Sequence, residues 1–139
     1  MKRIFYSLLT TAALLAAAPR AQAQLTIYGL IQSTASQPIN ISTATTTQLV
    51  SLIAGKAIYV TGLDVIAAGT GNITFEYGTG TNCGTGTTTL TGAYNLTAQT
   101  GLSHGTGLGP ILIVPAGNAL CAVTSAAVQM SGSFSYAQF

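Results

Sequence analysis

The side chains able to do covalent or acid–base chemistry are few and widely spaced. Two cysteines, Cys83 and Cys121, stand 38 positions apart. In a chain that leaves the cytoplasm such a pair forms one disulfide. Closing a loop of that length contributes roughly 3–4 kcal/mol in the chain-entropy account. The alternative is two free thiols, which with the single histidine, His104, do not make up a zinc-binding set. His104 and Asp64 could join one of many serines in a relay of nucleophile, base and carboxylate, but no Gly-x-Ser-x-Gly turn is present to expose a strained serine. Asp64 and Glu76 form a pair of carboxylates, as glycoside hydrolysis requires. Their places in neighbouring strand-like segments read better as surface charges near Lys56. The Gly-rich residues 78–89 and 101–109 lack the helix start and the basic residue of a phosphate cradle. The expectation is a non-enzyme with no catalytic residues, no cofactor and no metal.

The elements that position these groups are strands. Residues 72–77 put Ile73, Phe75 and Tyr77 on one face and Thr74 and Glu76 on the other, then break into a Gly/Thr loop that carries Cys83. That loop, residues 78–89, reads as a flexible crossing tied by Cys83 to the strand of Cys121, residues 119–124. In residues 57–66, Ile58, Val60 and Gly62 face one way and Tyr59, Thr61 and Leu63 the other. Apolar residues on both faces indicate an interior strand, expected to form a hairpin with residues 72–77. Residues 39–42 and 46–53 are short and β-prone, and residues 90–96 make a short strand or bend. Pro110 and Pro115 bracket an edge segment, and residues 101–109 read as loop. In the last strand Val128, Met130, Phe134 and Tyr136 share one face, with Gln129, Ser131, Ser133 and Ser135 on the other. With no helical period after Ala23, the pattern indicates a single all-β sandwich, jelly-roll-like, over residues 39–139.

The front of the chain is different. Met1-Lys2-Arg3, an apolar run from Leu8 to Ala18 and then Ala21-Gln22-Ala23 are the three parts of a secretory signal peptide, with cleavage expected between Ala23 and Gln24. The apolar run is shorter than the ~20 residues of a spanning helix. Export places the protein outside the cytoplasm: secreted, on the cell surface or in the periplasm. Cleavage also removes three of the four basic residues behind the formal charge of +2. Lys56 against Asp64 and Glu76 leaves −1. Nucleic acid and anionic membrane surfaces are thereby excluded as partners, and a net charge near zero favours association of like subunits. Residues 24–38 form a β-prone arm and linker. The arm, with Ile27, Tyr28, Leu30 and Ile31, is either the first edge strand of the sandwich or a strand that pairs with a neighbouring subunit. Its opening Leu25-Thr26-Ile27-Tyr28-Gly29, together with Phe139, is similar to an outer-membrane porin. The rest of the chain lacks the repeated ten-residue alternation and aromatic girdles of such a barrel.

Several phrases carry a resemblance: Ala54-Gly55-Lys56-Ala57-Ile58-Tyr59-Val60; residues 73–78 with the Gly/Thr loop and Cys83; and Pro115-Ala116-Gly117-Asn118-Ala119-Leu120 leading to Gly132-Ser133-Phe134-Ser135-Tyr136. Over residues 40–139 the chain resembles small Gly/Thr-rich β-sandwich proteins of phages and prophages, of the virion or tail-associated type. The resemblance implies a sandwich fold and no catalytic residues; the signal peptide departs from it. The resulting expectation is an exported structural or adhesive protein whose partner is another copy of itself, in a filament, coat or virion-like array. The alternative is a module for a cell-surface glycan, using Tyr28, Tyr59, Tyr77 and Tyr94.

Overall fold

The computed structural model describes residues 30–105 and 109–139. The signal peptide, its cleavage position at Ala23 and Gln24, and the arm residues Ile27 and Tyr28 lie outside the described residues. Ten strands follow in order: β1 (Ala35–Ile41), β2 (Thr46–Val50), β3 (Ile58–Ala67), β4 (Gly71–Thr79), β5 (Thr85–Thr89), β6 (Tyr94–Leu96), β7 (Gly101–His104), β8 (Leu112–Val114), β9 (Ala119–Thr124) and β10 (Met130–Gln138). They form two antiparallel sheets. The first runs β1-β10-β3, with β7 and β8 end to end on the far edge of β3; the second runs β2-β9-β4, with β5 and β6 likewise on β4. The chain changes sheet at each step from β1 to β4 and again from β6 to β7, β8 to β9 and β9 to β10. This is a jelly roll, as the strand pattern led one to expect.

Apolar residues from both inner faces fill the space between the sheets, with Phe75, Ile73 and Leu120 from the second meeting Phe134, Val65 and Ile39 from the first. The expected hairpin of β3 with β4 does not form. Both are interior strands of different sheets, and residues 68–70 carry the chain from one to the other. The facing of β3 also differs from a plain alternation. Gly62 pairs with Ser135 and Val60 with Tyr136, so Thr61 is an extra residue. This β-bulge switches the phase. Ile58 and Val60 before it, and Leu63, Val65 and Ala67 after it, all point inward. The run that looked apolar on both faces is therefore one inner face read through a bulge.

β1 begins at Ala35 and takes in residues read as linker. Pro38 is tolerated because β1 is an edge strand whose outward positions need no donor. β5 and β7 fall in stretches read as loop. The return of the chain as β5 corrects the flexible crossing: residues 85–89 run back beside β4 in the same sheet, as threonine's β preference favours.

The connection between β4 and β5 is folded flat on the outer face of the second sheet. Leu120 and Ala122 belong to the main core, while Cys121 and Ala119 point the other way and form a small separate cluster with Cys83. Cys83 and Cys121 are joined by a disulfide, as expected. A single 3₁₀ turn, Thr81–Cys83, places Asn82 so that its Oδ1 accepts from the Gln48 amide of β2, 3.3 Å away. Thr87 Oγ1 donates to the Cys83 carbonyl. Gly78 lies directly beneath: a Cβ there would come within 2.7 Å of the Cys83 oxygen and 2.9 Å of the Thr85 oxygen.

Candidate assembly surface

The charged groups do not converge. Glu76 faces outward from β4, as its alternation predicts, yet it is only 9% exposed, because the turn bearing Cys83 closes over this face. Burial raises its carboxyl above the ordinary glutamate value. Asp64 is exposed on the other sheet, so the two carboxylates are not on adjacent strands, and Glu76 is not an ordinary surface charge. Among the described residues no three His, Cys, Asp or Glu side chains come together in a metal-binding group.

Asp64 does have neighbours of interest. It pairs with Ser133 on β10 and with Ser103 on β7. With Ser135 and the bare backbone of Gly62 they line a shallow trough of about 230 Å³ on the outer face of the first sheet. His104 lies at the rim, but its pairing with Leu63 turns it to the inner side, where its ring is 6.2 Å from that of Tyr94. A proton relay needs base and carboxylate in hydrogen-bond contact on one side. The trough instead offers hydroxyls and one carboxylate to a polar ligand.

The three described tyrosines named for glycan contact do not share a surface. Tyr28 is outside the described residues, Tyr77 packs against the core, Tyr94 faces His104, and Tyr59 stacks on Phe139 with ring centroids 4.8 Å apart.

That last pair belongs to an apolar end of the first sheet. Across three strands the outward row is Ile113, Tyr59 and Ala137. Ile113 is 52% and Phe139 60% exposed, whereas Ala137 is fully covered. Two backbone bonds, Ala57 to Phe139 and back, hold the strands together there. The loop after β2 adds exposed Leu52 and Ile53 to the same end, held by the bond from Gln138 Nε2 to the Ser51 carbonyl. Lys56, whose amide donates to the Ile53 carbonyl, stands in the same loop. Exposed apolar side chains scattered singly need no explanation, whereas the stacked Tyr59 and Phe139 beside Ile113 stand together.

At this end the β1 ladder is shorter than β10. β1 pairs with β10 only from Ala35, opposite Tyr136, with one further bond from the Thr34 amide to the Tyr136 carbonyl. β10 continues to Gln138 against β3 on its other side. Of the arm residues, Leu30 is 55% exposed and Ile31 half-buried. Sequence reading named Tyr59 for a glycan and Phe139 only for its likeness to a porin. The outward parity of Tyr59, Ala137 and Phe139 was the signal that could have joined them. No protein-family model, curated protein or solved structure matches the chain.

Proposed function

We propose that this chain is an exported, non-enzymatic structural or adhesive subunit that associates with further copies of itself. The observation behind this reading is the apolar end formed by Tyr59, Ile113, Phe139, Leu52 and Ile53 on a domain that carries almost no charge. Such a surface gains by being covered, and few charges oppose like-to-like contact. The disulfide fits a life outside the reducing cytoplasm. The resemblance to phage and prophage sandwich proteins of the virion or tail type points the same way. Sedimentation velocity of the secreted protein from micromolar to millimolar concentration is the test. Species larger than a monomer that grow with concentration are expected, and electron microscopy distinguishes filaments from closed particles. A chain that stays monomeric throughout would sink the reading. The trough at Asp64, Ser103 and Ser133 favours a second one, a glycan-binding module, which an array of cell-surface glycans reads directly.

A further inference from the structure

We infer that a cleft in the side of the sandwich joins the trough at Asp64 in one site for the end of a neutral glycan chain, with one sugar ring in each part. This rests on the glycan-binding reading and names its place and its ligand class. The cleft arises because the far edges of β3 and β4 are each covered by two short strands with a break between them. On β3, β7 ends at His104 opposite Leu63, and β8 begins at Leu112 opposite Val60; the bulge at Thr61 lies between. On β4, β5 ends at Thr89 opposite Glu76, and β6 begins at Tyr94 opposite Ile73. Phe75 fills that second break, its carbonyl accepting from the Leu90 amide and its own amide donating to Thr91 Oγ1. The two breaks meet in one cleft of about 270 Å³, walled by Leu63, Ile111 and Leu112 from the first sheet and by Leu90, Thr91 and Tyr94 from the second. Bulges are over-represented beside functional sites for this reason: they interrupt a covered edge.

The chemistry of the cleft matches a sugar ring. Leucine and isoleucine side chains offer a surface to ring C–H groups, while the Thr91 and Tyr94 hydroxyls and the His104 imidazole offer partners to ring hydroxyls. No charged side chain is among its lining residues. Its volume falls just below the ~300 Å³ at which sites for drug-sized ligands begin, so one ring is its natural load. Leu63 and His104 line the trough as well as the cleft, so the two hollows adjoin around the end of β7. The ridge between them is kept low by Gly105, which holds φ +95° and where a Cβ would strike the Thr61 carbonyl oxygen. Beyond the ridge, Asp64 stands between Ser103 and Ser133. Its carboxylate accepts from the hydroxyls of a second ring and repels a sugar acid, which fixes the ligand as neutral.

The secreted protein is titrated with neutral disaccharides (maltose, cellobiose, lactose and diacetylchitobiose) and with an acidic one, digalacturonic acid, by calorimetry, after a screen on the array of cell-surface glycans. At least one neutral sugar should bind and the acidic one should not. Asp64→Asn and His104→Ala change exposed residues and should each weaken binding about threefold to tenfold, the worth of one hydrogen bond. Gly92→Leu should abolish it by closing the cleft, and the fold tolerates the change because a Cβ at Gly92 meets nothing within 4 Å. If a glycan binds and all three variants bind it as wild type does, this site is wrong while the glycan reading stands. If only acidic glycans bind, the ligand class is wrong. If neither the array nor the titrations show binding, the glycan reading falls, and this site with it.

Discussion

The outer faces of the two sheets are in opposite states. On the second sheet the chain covers its own strands: the turn Thr81–Cys83 lies over β9, the disulfide pins it, and Glu76 is buried beneath. On the first sheet the outer face is more open, polar around Asp64 and Ser133 and apolar around Tyr59 and Phe139. A sandwich needs only its inner faces covered to fold. The second sheet has a further small core on its outside, formed by Cys83, Ala119 and Cys121, which covers that part of the face. On the self-association reading proposed above, contact with a partner falls to the first sheet. The comparison predicts that changes on the covered face act on stability and changes on the more open face act on association.

The largest effect should come from the disulfide. Replacing Cys83 and Cys121 together by alanine opens a loop of 38 positions and should lower stability by about 4 kcal/mol. The urea midpoint of oxidised wild type against the double variant measures it. A loss no greater than the ±0.5 kcal/mol or so of an ordinary surface substitution would mean that the turn is not an integral cover.

A matched pair of glycines sharpens the contrast with one chemical change. Gly78 and Gly62 both sit at outward positions of interior strands, one on each sheet. A Cβ at Gly78 would meet backbone oxygens of Cys83 and Thr85 within 3 Å, which flexible side-chain motion cannot relieve. At Gly62 the nearest atom is Ser135 Cβ, 4.0 Å away, an ordinary contact. Gly78→Ala should cost about 1–3 kcal/mol through overpacking. Gly62→Ala should be neutral or stabilise by up to about 1 kcal/mol, because it restricts the unfolded chain. Thermal unfolding of the two variants side by side decides it, and equal costs would erase the distinction between the faces.

The same contrast explains what the sequence made legible. The facing of Ile73, Phe75 and Tyr77 against Thr74 and Glu76 could be read because β4 keeps a strict period of two. The disulfide followed from reading two cysteines in a chain whose front end has the pattern of a signal peptide. The β3–β4 hairpin was misread because short turns between neighbouring strands look alike whether they stay in a sheet or cross between sheets. The facing of β3 was misread because a bulge at Thr61 leaves no mark in composition. β5 was hidden by its glycine and by the lack of apolar residues in Thr85–Thr89, every one of them exposed. The burial of Glu76 could not be foreseen either, since it comes from a turn lying above the sheet rather than from the strand.

The smallest effect belongs to Glu76, and its sign can be worked out. Burial raises the native carboxyl above its ordinary value of 4.5. Between that value and the raised one, the native state still holds a proton that the unfolded chain has released. Stability therefore falls as pH rises through this window and levels off above it. Glu76→Gln removes the titration, so the variant should gain on wild type as pH rises from 4 to 7, by less than the disulfide contributes, and the two should draw together in acid. Urea unfolding of both proteins across that range reads the difference, in which the exposed groups cancel. Repeating it without the disulfide tests the cause. If the turn is what dries Glu76, freeing it lets water reach the carboxylate and the pH-dependent difference should shrink. A difference that persists unchanged would assign the desolvation to the neighbouring strands and leave the turn a passive cover.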